Sequence, residues 1–363
     1  MKMNKIAVGI ALAAGTMAAH AADVVMFPYV VNSATVTTVV SIIDRGDAAT
    51  PRYNASGVIG NIAGGANRLH WRLNYKGNAN ATNNAALCEE VNYYLPTSPN
   101  DIQTVDLGAH FGSTTSGVLF NDPSINNNWK AGIGILTYAL ASQAGSQARG
   151  VLFVHNADGD AILGGSPVQT IQGDAMVFEF ANGAAWGYAG VLTNQDAVTG
   201  NTAAAFDYSG VAAANSTTGT VVSFMPTAET TTRLFVTPVN TVGTMLGADG
   251  SSTPGWDRLT ARVGLRTGAG VAFDRDENLV SGTTPANVTC VGAADVSGLM
   301  TGGAAAVLGS GGYGLLNVAL GTGVGGGFLN TNRAHVIKLE FSAGGTFNGT
   351  AVTGVFNNGF KLQ

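Results

Sequence analysis

The sequence predicts an all-β fold. The expected form is an antiparallel β-sandwich, built as one large sandwich or two smaller ones, with few short helices. Three observations predict it. Short runs alternate apolar and polar residues, and a period of two is the pleat of a strand. Clusters of Gly, Asn and Asp separate those runs and supply the backbone angles that tight hairpins need. Helical periodicity is confined to residues 132–144 and 295–308, where glycines weaken it. Many short strands joined by turns make a sandwich or a barrel.

The elements follow in chain order. Lys2 and Lys5 precede an apolar run that starts at Ile6 and ends at Ala19-His20-Ala21, a small-x-small cleavage signal. Residues 1–21 therefore read as a secretory signal peptide, leaving a secreted β domain over 22–363. The apolar run is too short to cross a bilayer comfortably. The next apolar stretch, 24–43, is broken by Pro28, Asn32, Ser33 and threonines, and its β-branched content reads as strand. No transmembrane helix is expected after cleavage.

Residues 68–76 alternate best. Leu69, Trp71, Leu73 and Tyr75 point one way; Arg68, His70, Arg72, Asn74 and Lys76 point the other, toward water. Residues 261–266 and 337–341 repeat the scheme. Met176, Phe178 and Phe180 alternate with Val177 and Glu179. Residues 36–43, 150–154, 220–224 and 315–320 are apolar on both faces, which suits central strands covered on both sides. Residues 193–218 are rich in Asn, Ala, Thr and Gly and offer a sub-boundary inside the domain.

Composition narrows the function. Charged residues are 11%, against about 25% in a typical soluble domain. There are 51 glycines in 363 residues, and 45% of residues are hydrophobic. Loss of Lys2 and Lys5 would take the 17 basic residues to 15 against 22 acidic ones, a net charge of −7. Such a surface has no general attraction for phosphate backbones, so nucleic acid is excluded as a partner.

Catalytic and cofactor signatures are scarce. There is no G-x-S-x-G elbow and no H-E-x-x-H pair among His70, His110, His155 and His335. A G-x-G-x-x-G match at Gly321 leads into a strand, not a helix N-terminus, and reads as a turn. Arg45-Gly46-Asp47 likewise reads as a turn. Trp129, Trp186 and Trp256 lie beside turn-like residues; packing explains them better than sugar stacking. No enzyme activity is expected.

Two kinds of site remain. Cys88 and Cys290 are an even pair in an oxidising compartment, so a disulfide closing a very long loop is expected. Asp158 and Asp160 in one acidic loop, and Asp274 and Asp276 in another, are candidate Ca²⁺ ligands, because closely spaced oxygens are what Ca²⁺ takes. Arg275 opposes a cation in the second loop, and a hydrated hairpin turn is the competing reading of both. No other cofactor is expected.

Two segments carry a resemblance. One runs Phe27-Pro28-Tyr29-Val30-Val31 and then Thr37-Thr38-Val39-Val40-Ser41-Ile42-Ile43-Asp44. The other runs Val91-Asn92-Tyr93-Tyr94-Leu95 to Ser98-Pro99-Asn100-Asp101-Ile102-Gln103-Thr104. Together they loosely resemble exported bacterial surface or extracellular β-proteins of unknown function. The resemblance implies an exported β-sandwich and no activity. Low charge adds an expectation of neighbours, since interface cores are depleted of charge. The first functional expectation is a noncatalytic structural protein that self-assembles at the cell surface, as a surface layer or an extracellular filament. The alternatives are an extracellular module binding carbohydrate or another ligand, and an outer-membrane β-barrel.

Overall fold

The structure is a computed structural model. It describes residues 24–44, 67–97, 101–107, 147–155, 171–180, 184–196, 205–207, 220–227, 230–238, 260–265, 272–279, 284–301, 309–321, 328–329, 334–342, 345–347, 350–352, 355–356 and 361–362. The first half supplies β1 (Val24–Asn32), β2 (Val36–Asp44), β3 (Asn67–Gly77), β4 (Glu89–Thr97), β5 (Asp101–Asp106), β6 (Ala148–His155), β7 (Ile171–Glu179), β8 (Ala184–Ala189), β9 (Val191–Asp196) and β10 (Ala205–Asp207). The second half supplies β11 (Thr220–Phe224), β12 (Thr230–Pro238), β13 (Thr260–Leu265), β14 (Ala272–Asp274), β15 (Ala286–Thr289), β16 (Gly292–Asp295), β17 (Gly312–Gly321), β18 (Phe328–Leu329) and β19 (Ala334–Ser342). Four short C-terminal strands follow: β20 (Gly345–Phe347), β21 (Thr350–Val352), β22 (Val355–Phe356) and β23 (Lys361–Leu362).

The strands pair antiparallel into four main sheets. The first half makes an outer sheet, β5-β2-β7-β8, and an inner sheet, β10-β9-β1-β6-β3-β4. The second half makes an inner sheet, β16-β12-β19-β22, and an outer sheet, β11-β17-β13-β15, with β14 and β18 also on β17. The chain crosses from one half to the other between Asp207 and Thr220, within the Asn/Ala/Thr/Gly-rich stretch.

Three apolar layers separate the four sheets. Val25, Phe27, Leu69, Trp71, Leu73 and Leu152 of the inner sheet pack on Val40, Ile42, Val105 and Ala175 of the outer one, closing the N-terminal sandwich. Leu234, Val236 and Val336 pack on Val222, Ala261, Val263 and Val288, closing the C-terminal sandwich. Between the two inner sheets lies a third core, with Met26, Val151 and Phe153 on one side and Phe235, Ile337 and Leu339 on the other, and β7 and β8 of the outer N-terminal sheet reach into it with Val177 and Trp186. The antiparallel sandwich is therefore doubled, and the two sandwiches are stacked face to face.

That junction explains β1. Pro28 sits in a strand paired on both sides, where a missing N–H is tolerated only at an irregularity. The β1–β6 ladder slips register between Phe27 and Val30. The Pro28 carbonyl accepts a hydrogen bond from the Thr237 hydroxyl of β12, across the junction.

Several expectations need correction. The polar face of β3 is not in water: Arg72, Asn74 and Lys76 are buried. Register places Arg72 beside Phe153 and Asn74 beside Val151 of β6, so this face turns to the junction. Lys338 and Glu340 of β19 are also buried. Paired across from Leu234 and Thr232, they face the interior of the C-terminal sandwich. On β7 the inward face carries Val177 and Glu179, while Phe180 is exposed. β11 is an edge strand with one covered face: Val222 and Phe224 are buried, but Val221 is 60% exposed. The helix expected over 295–308 begins as the end of β16 and a single 3-10 turn, Val296–Leu299. By contrast, β13 buries Ala261, Val263 and Leu265 and exposes Arg262, as its alternation predicts. The expected signal peptide, the expected helix at 132–144, Trp129, Trp256 and the loop with Asp158 and Asp160 lie outside the described residues.

Candidate functional site

Two constellations stand out, one at the junction and one on the outer face of the C-terminal sandwich.

At the junction, Cys88 and Cys290 are joined by a disulfide with a Cα–Cα distance of 6.1 Å. The loop that follows β3 brings Cys88 there. Its anchor is Asn84, whose side-chain amide donates to the Ala293 carbonyl (2.7 Å) and accepts from the Ala293 N–H (3.1 Å). The Thr289 N–H donates to the Asn84 carbonyl at 2.8 Å. A side-chain amide here continues the hydrogen-bond pattern of a strand across the gap between sandwiches. The ammonium of Lys76 donates to the carbonyls of Asn83 (3.0 Å) and Asn84 (3.2 Å) and so holds the loop from below. Burial, with Arg149 adding repulsion, lowers its pKa to about 7.

Beside this clasp lies an aromatic cluster. The Tyr29 ring is 4.2 Å from Phe235, and Trp186 stacks on Phe235 at 6.0 Å, centroid to centroid. Two polar tips are held: Trp186 Nε1–H donates to Glu179 at 2.9 Å, and the Tyr188 hydroxyl donates to the Tyr29 carbonyl. Burial pushes both tyrosine hydroxyls well above their ordinary pKa. Trp186, read as packing from sequence, does pack here.

On the outer face, the turn after β14 holds Asp274, Arg275, Asp276, Glu277 and Asn278. The Asp274 carboxylate accepts from the backbone N–H of Asp276 (2.9 Å) and Asn278 (2.8 Å) and from the Asn278 side chain (2.9 Å). Those bonds, the side-chain one foremost, hold its carboxyl below the usual range. Arg275 N–H donates to the Gly311 carbonyl at 3.2 Å, tying the turn to the start of β17. Glu277 takes φ +66°, a region rare for a residue with a Cβ. The Asp274 oxygens are thus committed to shaping the turn. Asp276 lies 3.8 Å from Arg275 Nε. Among the described residues no group of three His, Cys, Asp or Glu side chains comes together as a metal site.

The turn forms one wall of a cleft of about 630 Å³. Its floor is the solvent face of β14 and β17, where Phe273 and Tyr313 are register partners with ring centroids 5.5 Å apart. Met225 and Pro226, beyond the end of β11, form the opposite wall. Tyr313 is 42% and Met225 49% exposed. Sequence reasoning found the acidic turn and missed the aromatic floor. Phe273 and Tyr313 sit in short Ala-Phe-Asp and Gly-Tyr-Gly contexts, forty residues apart, and only strand pairing brings them together.

Among the described residues no helix is long and apolar enough to cross a membrane. Comparison with protein-family models, curated protein sequences and solved structures finds no match to this chain.

Proposed function

We propose that the chain is a noncatalytic, exported structural protein that assembles with copies of itself at the cell surface, as a layer or a filament. One observation carries the reading: the β8 edge of the outer N-terminal sheet. β8 reads Ala-Ala-Trp-Gly-Tyr-Ala, has no charge and no proline, and among the described residues pairs with β7 alone. Natural proteins blunt such edges with charges or proline, and an unblunted edge is a template for a further strand. Three other edges of the described sheets are blunted. β4 carries Glu89, Glu90 and Pro96, and β5 carries Asp101 and Asp106. The Ser223 carbonyl of β11 accepts from buried Lys338 at 2.6 Å. Low overall charge supports the same reading, because neighbours in an assembly repel less.

The open order of the described sheets and their buried apolar faces favour a packed sandwich over an outer-membrane barrel, whose apolar band faces lipid. The test is sedimentation of purified protein over rising concentration, with electron microscopy of the product. Concentration-dependent, ordered assemblies are expected. Ala185→Lys, which sets a charge at an exposed position of β8, should abolish them without changing the melting temperature. A wild-type chain that stays monomeric throughout would overturn the proposal.

A further inference from the structure

We propose that the cleft on the outer C-terminal sheet is a binding site for a neutral saccharide. The floor is the first argument. Tyr313 is a large aromatic side chain left in solvent on a regular strand, at 42% exposure, beside Phe273 at 5.5 Å. Such a pair presents an apolar surface with one hydroxyl at its edge, and an amphipathic ring of this kind suits a ligand with one apolar and one wet side. A sugar ring has that character: its C–H face lies on the aromatic and its hydroxyls point away.

The rim is the second argument. Arg275 and Glu277 stand exposed beside the floor, on the turn that Asp274 locks. A guanidinium supplies donors in a fixed fork and a carboxylate supplies acceptors, which together match neighbouring hydroxyl groups. Charge is the third. On the lining Arg275 is outnumbered by Asp274 and Glu277, so the cleft disfavours phosphate, sulfate and uronate groups. What the rim's charge leaves is a ligand without negative charge, and the pairing of a donor fork with an acceptor beside an aromatic floor suits the uncharged hydroxyls of a sugar.

The walls are fixed in advance. Gly311 takes φ +91°, and a Cβ there would press on the Phe224 carbonyl and Pro226 nitrogen at 3.2 Å. The volume lies within the range of about 300–1,000 Å³ usual for small-ligand sites. The site rests on nothing in the self-assembly reading. It lies on the opposite outer sheet from β8, and the Ala185→Lys chain should bind as the wild type does.

The experiment is titration calorimetry with cellotetraose, maltotetraose and chitotetraose, followed by a glycan array. At least one neutral oligosaccharide should bind, with an affinity insensitive to salt. Tyr313→Ala should weaken it at least tenfold, and Tyr313→Phe should restore most of the loss. Arg275→Ala, at a residue whose loss cannot disturb a core, should weaken it as well. Binding untouched by Tyr313→Ala and Arg275→Ala would overturn the assignment. So would the failure of every neutral glycan, or capture of anionic glycans or peptides alone.

Discussion

The sandwich interiors and the junction between them are made of different material. The N-terminal interior is Val, Leu and Ile around Phe27 and Trp71, and the C-terminal interior is mostly Val, Leu and Ala. The junction joins Tyr29, Trp186 and Phe235 to a disulfide, with Glu179 holding the Trp186 indole and Asn84 bridging to β16. Apolar burial, which is non-directional, is the main closure of each sandwich, with the buried Lys338–Glu340 pair set into the C-terminal interior. The junction is fixed by directional contacts, as in a specific interface where aromatic side chains with satisfied polar tips dominate. Burial makes the two bodies; directed contacts set how they meet.

The disulfide is the strongest of those contacts, so removing it is the largest test. It spans 202 residues of sequence. On the chain-entropy account a loop of that length is worth about 5 kcal/mol. The Cys88→Ser/Cys290→Ser chain should unfold at lower denaturant, and in two transitions instead of one, because the sandwiches lose their common clasp. Tryptophan fluorescence and circular dichroism recorded together would resolve the steps. One coincident transition at the wild-type midpoint would mean that the junction needs no bolt.

A smaller change tests the Asn84 clasp. A Cβ at Gly292 would sit on Asn84 Oδ1 and 2.8 Å from Val288 Cγ1. Gly292→Ala therefore displaces the Asn84 amide and presses on Val288 at the margin of the C-terminal interior, leaving the N-terminal interior untouched. Overpacking of this kind costs about 1–3 kcal/mol. The C-terminal half should loosen first in hydrogen exchange, at Ala293 and Thr289, whose N–H groups donate to Asn84. Uniform loss of protection across β1 and β6 instead would refute a local clasp.

The same contrast explains what was legible in the sequence. Alternation tells which residues share a face of a strand; it does not tell what that face meets. β13 and β3 both alternate. Arg262 of β13 faces water, whereas Arg72, Asn74 and Lys76 of β3 face a second sandwich. The stacked arrangement depends on contacts between halves, and no local pattern encodes them. Pro28 was a visible irregularity, yet its acceptor role for Thr237 lies 209 residues away. The acidic turn was visible as a local cluster. The aromatic floor of its cleft was not, because β14 and β17 meet only through sheet pairing.

Lys76 gives the finest test, since it belongs to a strand of one interior and serves the junction. It is 1% exposed, its pKa is about 7 against an ordinary 10.5, and its register partner is Arg149. Between pH 7 and 10.5 the folded chain holds this amine mostly neutral while the unfolded chain keeps it protonated. Unfolding then takes up a proton, so stability rises with pH across that window and is lost again as pH falls toward 7. Lys76→Met removes the proton from both states. The folding equilibrium of the wild type, relative to this variant, should therefore gain up to about tenfold per pH unit between pH 7 and 9.5. The tyrosines are common to both chains, so their ionisation cancels in the comparison. Parallel denaturation curves for the two chains at every pH would show that Lys76 is not held in the buried, two-carbonyl site that ties its strand to the junction.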